Sequence, residues 1–198
     1  MGDESLRRRE ALPDEASLVD LACTGNRGAF EGLVSLYQDR LQMSMMQLTG
    51  NSHDAEEVTQ EAFIRAFIKL DTFQRHSQFF TWLYRIAFNI ALTRKRRHRV
   101  RYSLDQHREE AGVEVPADGE DVDANLVRND DVNLVRMAME KLTPQHRAIL
   151  VLREMNEASY EDIAEVLELS IGTVRSRLNR ARRQLRIALE EMMESESD

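Results

Sequence analysis

Apolar residues recur along this chain at spacings of three and four from Asp14 onward, the period of helices packed by one face. Leu18, Leu21, Ala22, Ala29, Phe30, Leu33, Val34, Leu36, Tyr37, Leu41, Met45 and Leu48 keep that spacing, with breaks at Thr24–Gly28 and Thr49–Ser52. Asn26-Arg27-Gly28 reads as a turn and helix start, leaving a helix over Ala29–Leu48. Met43, Met45 and Met46 read as core filler. Asp54 and Glu57 stand as cap and third residue of a helix over Asp54–Leu70, buried along Val58, Ala62, Ala66 and Leu70 with Phe63 and Phe67 alongside. After a loop at Asp71–Gln78, Phe79, Trp82, Leu83, Ile86 and Ile90 anchor a further helix. Val135, Ala138 and Leu142 form a short helix, and Thr143-Pro144 restarts the chain as cap and first helical residue, burying Ala148, Ile149 and Leu152.

Two closely spaced starts follow. Ser159 with Asp162 is a capping-box-like pair, after which Ile163, Ala164 and Leu167 give a short apolar face. Ser170 caps the next helix, where Val174, Leu178, Ala181, Leu185 and Ala188 recur. A short helix, a brief turn and a long helix read as a helix-turn-helix. Gly172 keeps its entry slim enough for close approach of backbone to the first helix or to phosphate.

Charge decides what the long helix is for. Ile171–Leu189 holds no carboxylate but carries Arg175, Arg177, Arg180, Arg182, Arg183 and Arg186, in a chain whose formal net charge is -8. A solvated helix would intersperse signs; a pure arginine run accepts a repulsion that an outside polyanion relieves. Arg175, Ser176, Asn179 and Arg180 lie in the early outward turns, where arginine addresses guanine and asparagine adenine. Arg177, Arg182 and Arg183 sit further round or along, where phosphate is the partner.

The remaining charge is partitioned sharply. Arg94, Lys95, Arg96, Arg97, Arg99 and Arg101 crowd one helix end, beyond what a helix C-terminus calls for. Tyr84 and Phe88 just upstream are candidates for stacking on opened bases. Between Asp105 and Asp131 ten acidic residues face only Arg108 and Arg128, with Gly112, Pro116 and Gly119 interrupting any regular element. That stretch reads as a flexible acidic linker over 102–131, between helical domains at 14–101 and 132–192, and the acidic tail beyond Leu189 reads as frayed. The helix at Asp54–Leu70 bears Glu56, Glu57, Gln60, Glu61 and Arg65 with Ile64 and Ile68 close by. That face is either a docking patch for a basic, partly apolar protein or a solvated surface.

Other chemistry is thin. His53, His76, His98, His107 and His146 are scattered without metal-ligand spacing, Cys23 stands alone as a small buried residue, and there is no glycine-rich phosphate loop. No enzyme activity, cofactor or metal is expected. The opening residues lack the apolar core of a secretion signal, and no run spans a membrane, so a cytoplasmic protein is expected.

Three blocks together carry a family resemblance: DAEEVTQEAFIRAF at Asp54–Phe67, FFTWLYRIAFNIALTRKRR at Phe79–Arg97, and LTPQHRAILVLREMNEASYEDIAEVLELSIGTVRSRLNRARRQL at Leu142–Leu185. In this order they resemble the extracytoplasmic-function group of bacterial RNA polymerase sigma factors. The resemblance implies an all-α fold of two small domains, the C-terminal one a four-helix domain with the helix-turn-helix. It implies that Glu57, Gln60, Glu61 and Ile64 dock on the clamp helices of the largest polymerase subunit. Phe73, Arg75, His76, Asn89, Arg94, Arg96 and Arg97 would then serve the melted -10 element. The C-terminal domain would hold the polymerase flap and read the -35 element, with Ser159, Ala164, Leu167, Gly172, Val174 and Leu178 building its helix-turn-helix. An anti-sigma factor is implied as a regulator. Arg75-His76 departs from the small or acidic residue frequent in that loop. The rival reading is a two-domain helix-turn-helix regulator of duplex DNA without a sigma role.

Overall fold

The computed structural model describes residues 14–106 and 130–195, and within them every regular element is helical. The N-terminal region holds α1 (Glu15–Cys23), α2 (Arg27–Thr49), α3 (Ser52–Ile68), a 3-10 turn at Leu70–Thr72 and α4 (Phe79–Gln106). The C-terminal region holds α5 (Asp130–Glu140), α6 (Pro144–Leu150) continuing into a π-helical turn at Val151–Met155, α7 (Tyr160–Leu167) and α8 (Ile171–Ser195). The chain is thus all-α, in two helical regions. Most of the stretch expected as a linker, 107–129, lies outside the described residues. Both edges of that stretch are helical, since α4 runs on to Gln106, with no glycine or proline in 102–106 to end it earlier, and α5 begins at Asp130. α8 likewise continues past Leu189 to Ser195, where fraying was expected.

Side-chain caps set most helix starts. Asp14 accepts from Ser17 N at 2.7 Å, Asn26 from Ala29 N at 3.1 Å and Thr143 from His146 N at 3.3 Å. The start of α3 differs from the expected Asp54: its cap is Asn51, which accepts from Asp54 N at 2.9 Å. Gly50, at φ 77°, closes α2 in the left-handed conformation, so the chain turns directly into α3 and the cap falls three residues earlier. Gly32 serves close approach instead, because a Cβ there would stand 2.9 Å from the Leu18 side chain of α1.

In the N-terminal region α2 packs against α1, α3 and α4, and α3 also packs on α4. Leu33, Leu41, Met45, Val58, Ala62, Ala66, Phe79, Leu83 and Ile90 are buried there. Tyr84 and Phe88, expected as base-stacking candidates, are buried too, because this half of α4 lies under α2, α3 and α7 and has little free face. Burial also raises the pKa of the Tyr84 phenol. Met45 is core as expected, whereas Met43 is exposed, and Cys23 is only half-buried. In the C-terminal region α8 packs on α5, α6 and α7. Val135 is exposed there; α5 buries Ala138 and Met139 instead, with Leu142 following in the turn.

The two regions touch through α2 against α6 and the π turn, and through α4 against α7. Arg40 donates from Nε to Asn156 Oδ1 and from a terminal nitrogen to Asn156 O, both at 3.0 Å, while Asn156 Nδ2 donates to Ser44 Oγ at 3.0 Å. Arg147, itself buried, donates to Leu48 O at the end of α2 at 2.9 Å and to Glu140 O at 2.9 Å. On the α4 side, Thr81 Oγ1 donates to Asp162 at 3.4 Å and Ser77 Oγ to Glu165 at 3.3 Å.

Candidate nucleic-acid interface and docking face

α7 and α8 are joined through Glu168, Leu169 and Ser170. Ser159 and Asp162 form a full capping box, with Asp162 N donating to Ser159 Oγ at 3.0 Å and Ser159 N to the Asp162 carboxylate at 3.2 Å. At the other end Glu168 takes a left-handed conformation, φ 54°, and Leu169 N donates back to Ala164 O at 2.9 Å. Ser170 Oγ then accepts from Thr173 N at 3.2 Å and starts α8. Ala164 and Leu167 are half-buried, and Val166, not singled out in the sequence, joins Ile163 in the core. Gly172 is less constrained than expected: a Cβ there would meet only Ser170 Oγ, at 3.9 Å, so α7 does not require a glycine at this position.

Around the axis of α8 the side chains separate cleanly. Val174, Leu178, Ala181 and Ala188 are buried, whereas Arg175, Ser176, Asn179 and Arg180 are exposed. Arg175 lies over the Tyr160 ring, 5.8 Å from its centroid, and Ser176 Oγ donates to Thr173 O at 3.0 Å. The three arginines expected on phosphate differ among themselves. Arg182 donates twice to Glu154 Oε1, at 2.7 and 3.0 Å, and Arg177 donates to Gln145 Oε1 at 3.4 Å. Among the described residues Arg183, like Asn179 and Arg180, has no side-chain partner.

The loop before α4 is fixed from below and presented above. Phe73 is buried, its ring 5.2 Å from that of Trp82 and 5.7 Å from that of Phe79, so it anchors the loop and turns no face to solvent. Arg75, at φ 59°, is exposed and ion-paired with Asp20 of α1; His76 is exposed beside it. Further along α4, Asn89, Arg96 and Arg97 are exposed, while Arg94 is half-buried and turned toward α3.

α3 divides the expected docking residues between two sides. Gln60 and Ile64 line a groove of about 480 Å³ against α2, together with Val34, Gln38, Gln42 and Phe63. Glu57 and Glu61 face α4 and share Arg94: its guanidinium is ion-paired with Glu57 and reaches Glu61 Oε2 at 3.6 Å. Periodicity places Glu57, Gln60 and Glu61 on one outer face with Ile64 close by. The pairing escaped it because Arg94 lies 37 residues beyond Glu57 in the chain and only helix packing brings them together. Among the described residues no cluster of metal-ligating side chains forms and no helix is long and apolar enough to cross a membrane.

An arginine-faced helix behind a short turn, and a second helix ending in cations, define a helical nucleic-acid-binding protein. Comparison with known proteins narrows that class. Residues 33–101 match the family model for Sigma-70 region 2, and residues 133–185 match that for Sigma-70, region 4. The chain is 35% identical over 175 residues to the ECF RNA polymerase sigma factor SigW of Bacillus subtilis (strain 168), covering 85% of this chain and 92% of that one. It is also 35% identical over 186 residues to the ECF RNA polymerase sigma-E factor of Escherichia coli (strain K12), covering 87% and 92%. Among solved structures, the sigma factor RpoE in complex with the anti-sigma factor NepR from Bartonella quintana superposes with a TM-score of 0.65 at 27% identity, covering 81% of this chain and 96% of that one. CnrH in complex with the cytosolic domain of CnrY gives 0.64 at 26%, covering 88% and 96%. The chain belongs to the extracytoplasmic-function group of RNA polymerase sigma factors: it directs RNA polymerase to promoters and is not itself an enzyme. The rival reading, a duplex-DNA regulator without a sigma role, falls with that membership.

Proposed function

We propose that the two regions act as separate promoter readers, one for the -35 duplex and one for the melted -10 strand, joined by the acidic stretch over 102–131. In the C-terminal region, 132–192, α5–α8 form a four-helix domain whose α7 and α8 work as a helix-turn-helix. α8 enters the major groove with Arg175, Ser176, Asn179 and Arg180 against base edges, and Arg177, Arg182 and Arg183 along the phosphates. In the N-terminal region, 14–101, Arg75, His76 and Asn89 meet the opened strand, Arg94, Arg96 and Arg97 its phosphates, and Phe73 holds the loop in place. Docking falls to Glu57, Gln60, Glu61 and Ile64 on the clamp helices of the largest polymerase subunit, while the C-terminal domain engages the flap of the second. An anti-sigma factor regulates the chain in the cytoplasm, by analogy with the partners of RpoE and CnrH.

The observation that carries this reading is the division around α8, with its polar N-terminal residues exposed over a buried Val174–Leu178–Ala181 line. The test is reconstitution of the chain with core polymerase on a library of promoter fragments, mapping transcript starts. Discrete starts sharing an upstream and a -10 sequence are expected, and loss of the upstream preference alone in Asn179→Ala. Starts that share a -10 sequence but no upstream one would remove α8 from sequence reading.

A further inference from the structure

Arg94 is the first cation of the basic run on α4, yet it does not face outward as Arg96 and Arg97 do. Its guanidinium is held by Glu57 and Glu61 of α3, two of the residues proposed to dock on polymerase. Both carboxylates are half-exposed, and each has a second neighbour on its own helix: His53 Nε2 stands 3.7 Å from Glu57, and Arg65 is ion-paired with Glu61. Among the described residues Arg96 and Arg97 have no side-chain partner. One cation of the run is therefore tied to the docking face while its neighbours are not.

We infer that Arg94 is an exchangeable cation linking the two proposed functions of this region: a basic protein surface that takes over Glu57 and Glu61 releases Arg94 to DNA phosphate. The inference rests on the docking reading above. A carboxylate that accepts from a partner's cation loses much of its hold on an internal one, since both compete for the same oxygens. In the isolated chain, docking must displace Arg94 before the carboxylates are available. With DNA present the displaced guanidinium has a phosphate to meet, so displacement is easier. By linkage, whatever factor DNA adds to polymerase affinity through Arg94, polymerase adds to DNA affinity. Half-exposed ion pairs are weak, so the expected factor is about two- to fivefold and shrinks with added salt.

The experiment measures affinity of the full chain for core polymerase, by competition with another sigma factor, with and without a promoter fragment whose -10 region is pre-opened. Arg94→Gln removes the tether and spares the carboxylates; Glu57→Gln with Glu61→Gln removes the docking charges. Without DNA, Arg94→Gln is expected to bind core about two- to fivefold more tightly than the unsubstituted chain, and the tightening brought by the promoter fragment is expected to fall by the same factor. The double glutamine variant is expected to bind core more weakly. If it does so while Arg94→Gln binds core no better than the unsubstituted chain, docking stands and the exchange is overturned. Unchanged affinity in both variants removes the docking reading, and the exchange with it.

Discussion

α4 and α8 are the two long basic helices of the molecule, and they hold their cations in opposite ways. On α8 the arginines spread along an amphipathic helix whose core line is its own, and of those nearest the N-terminus Arg175 lies over Tyr160, Arg177 reaches Gln145, and Arg180 has no side-chain partner among the described residues. On α4 the first half is buried nearly all round, and the cations follow only where the helix leaves the core, the first of them bound back onto α3. A like count of arginines thus serves two ends. In the proposed reading α8 is a reader whose register is set by packing beneath it, whereas the charge at the end of α4 depends on what α3 is doing.

That contrast can be broken most forcefully from below. Leu178→Ala, at a fully buried position, is expected to cost about 2–5 kcal/mol of stability, read by chemical denaturation. If α8 owes its register to that line, holoenzyme carrying the variant also loses upstream preference while keeping its response to the -10 sequence. Next in size is Asn179→Ala, expected to cost about 1–3 kcal/mol on a matched upstream element and little on a scrambled one, measured as holoenzyme affinity. An equal loss on both would mean that α8 sits rotated from the register described. Ser159→Ala removes the capping box of α7 and should cost about 1 kcal/mol in the same denaturation assay, with no change in which base pairs are preferred. The smallest effect separates arginines of one helix. Arg183→Ala should lower the salt dependence of DNA binding by about one counterion. Arg182→Ala should lower it less, because Glu154 already neutralises that guanidinium.

Much of this was legible in the order of residues, for a physical reason: a helix reports its buried face through short-range periodicity. Val174, Leu178 and Ala181, the Ser159–Asp162 box and the Thr143-Pro144 start are local features, each contained within about two turns of chain. Most of the departures involve what lies on the other side of a helix. Tyr84 and Phe88 look available for stacking until α2, α3 and α7 close over them. Val135 fits the helical period, but α5 turns Ala138 and Met139 inward. Asp54 resembles a cap, and only the left-handed Gly50 moves that role to Asn51. The residues proposed for docking lie on or beside one outer face of a helical wheel, yet they divide between a groove on α2 and a cation on α4, a distinction no spacing within α3 contains.

The polar contacts between the two regions end on the guanidinium groups of Arg40 and Arg147, the Asn156 amide, the hydroxyls of Ser44, Ser77 and Thr81, the carboxylates of Asp162 and Glu165, and backbone carbonyls, beside apolar side chains that form one buried cluster across both regions. Every one of those polar groups has an equivalent partner in water. For the polar contacts, separation exchanges one set of hydrogen bonds for another, at a net cost of about 0.5–1.5 kcal/mol for a neutral bond such as Asn156 to Ser44 and about 1.5–3 kcal/mol for one from a guanidinium. Rehydration of the buried Arg147 guanidinium offsets part of even that. Such bonds are directional and poor as adhesive: they fix the angle at which the two regions meet, and the apolar cluster shared beneath them supplies the adhesion.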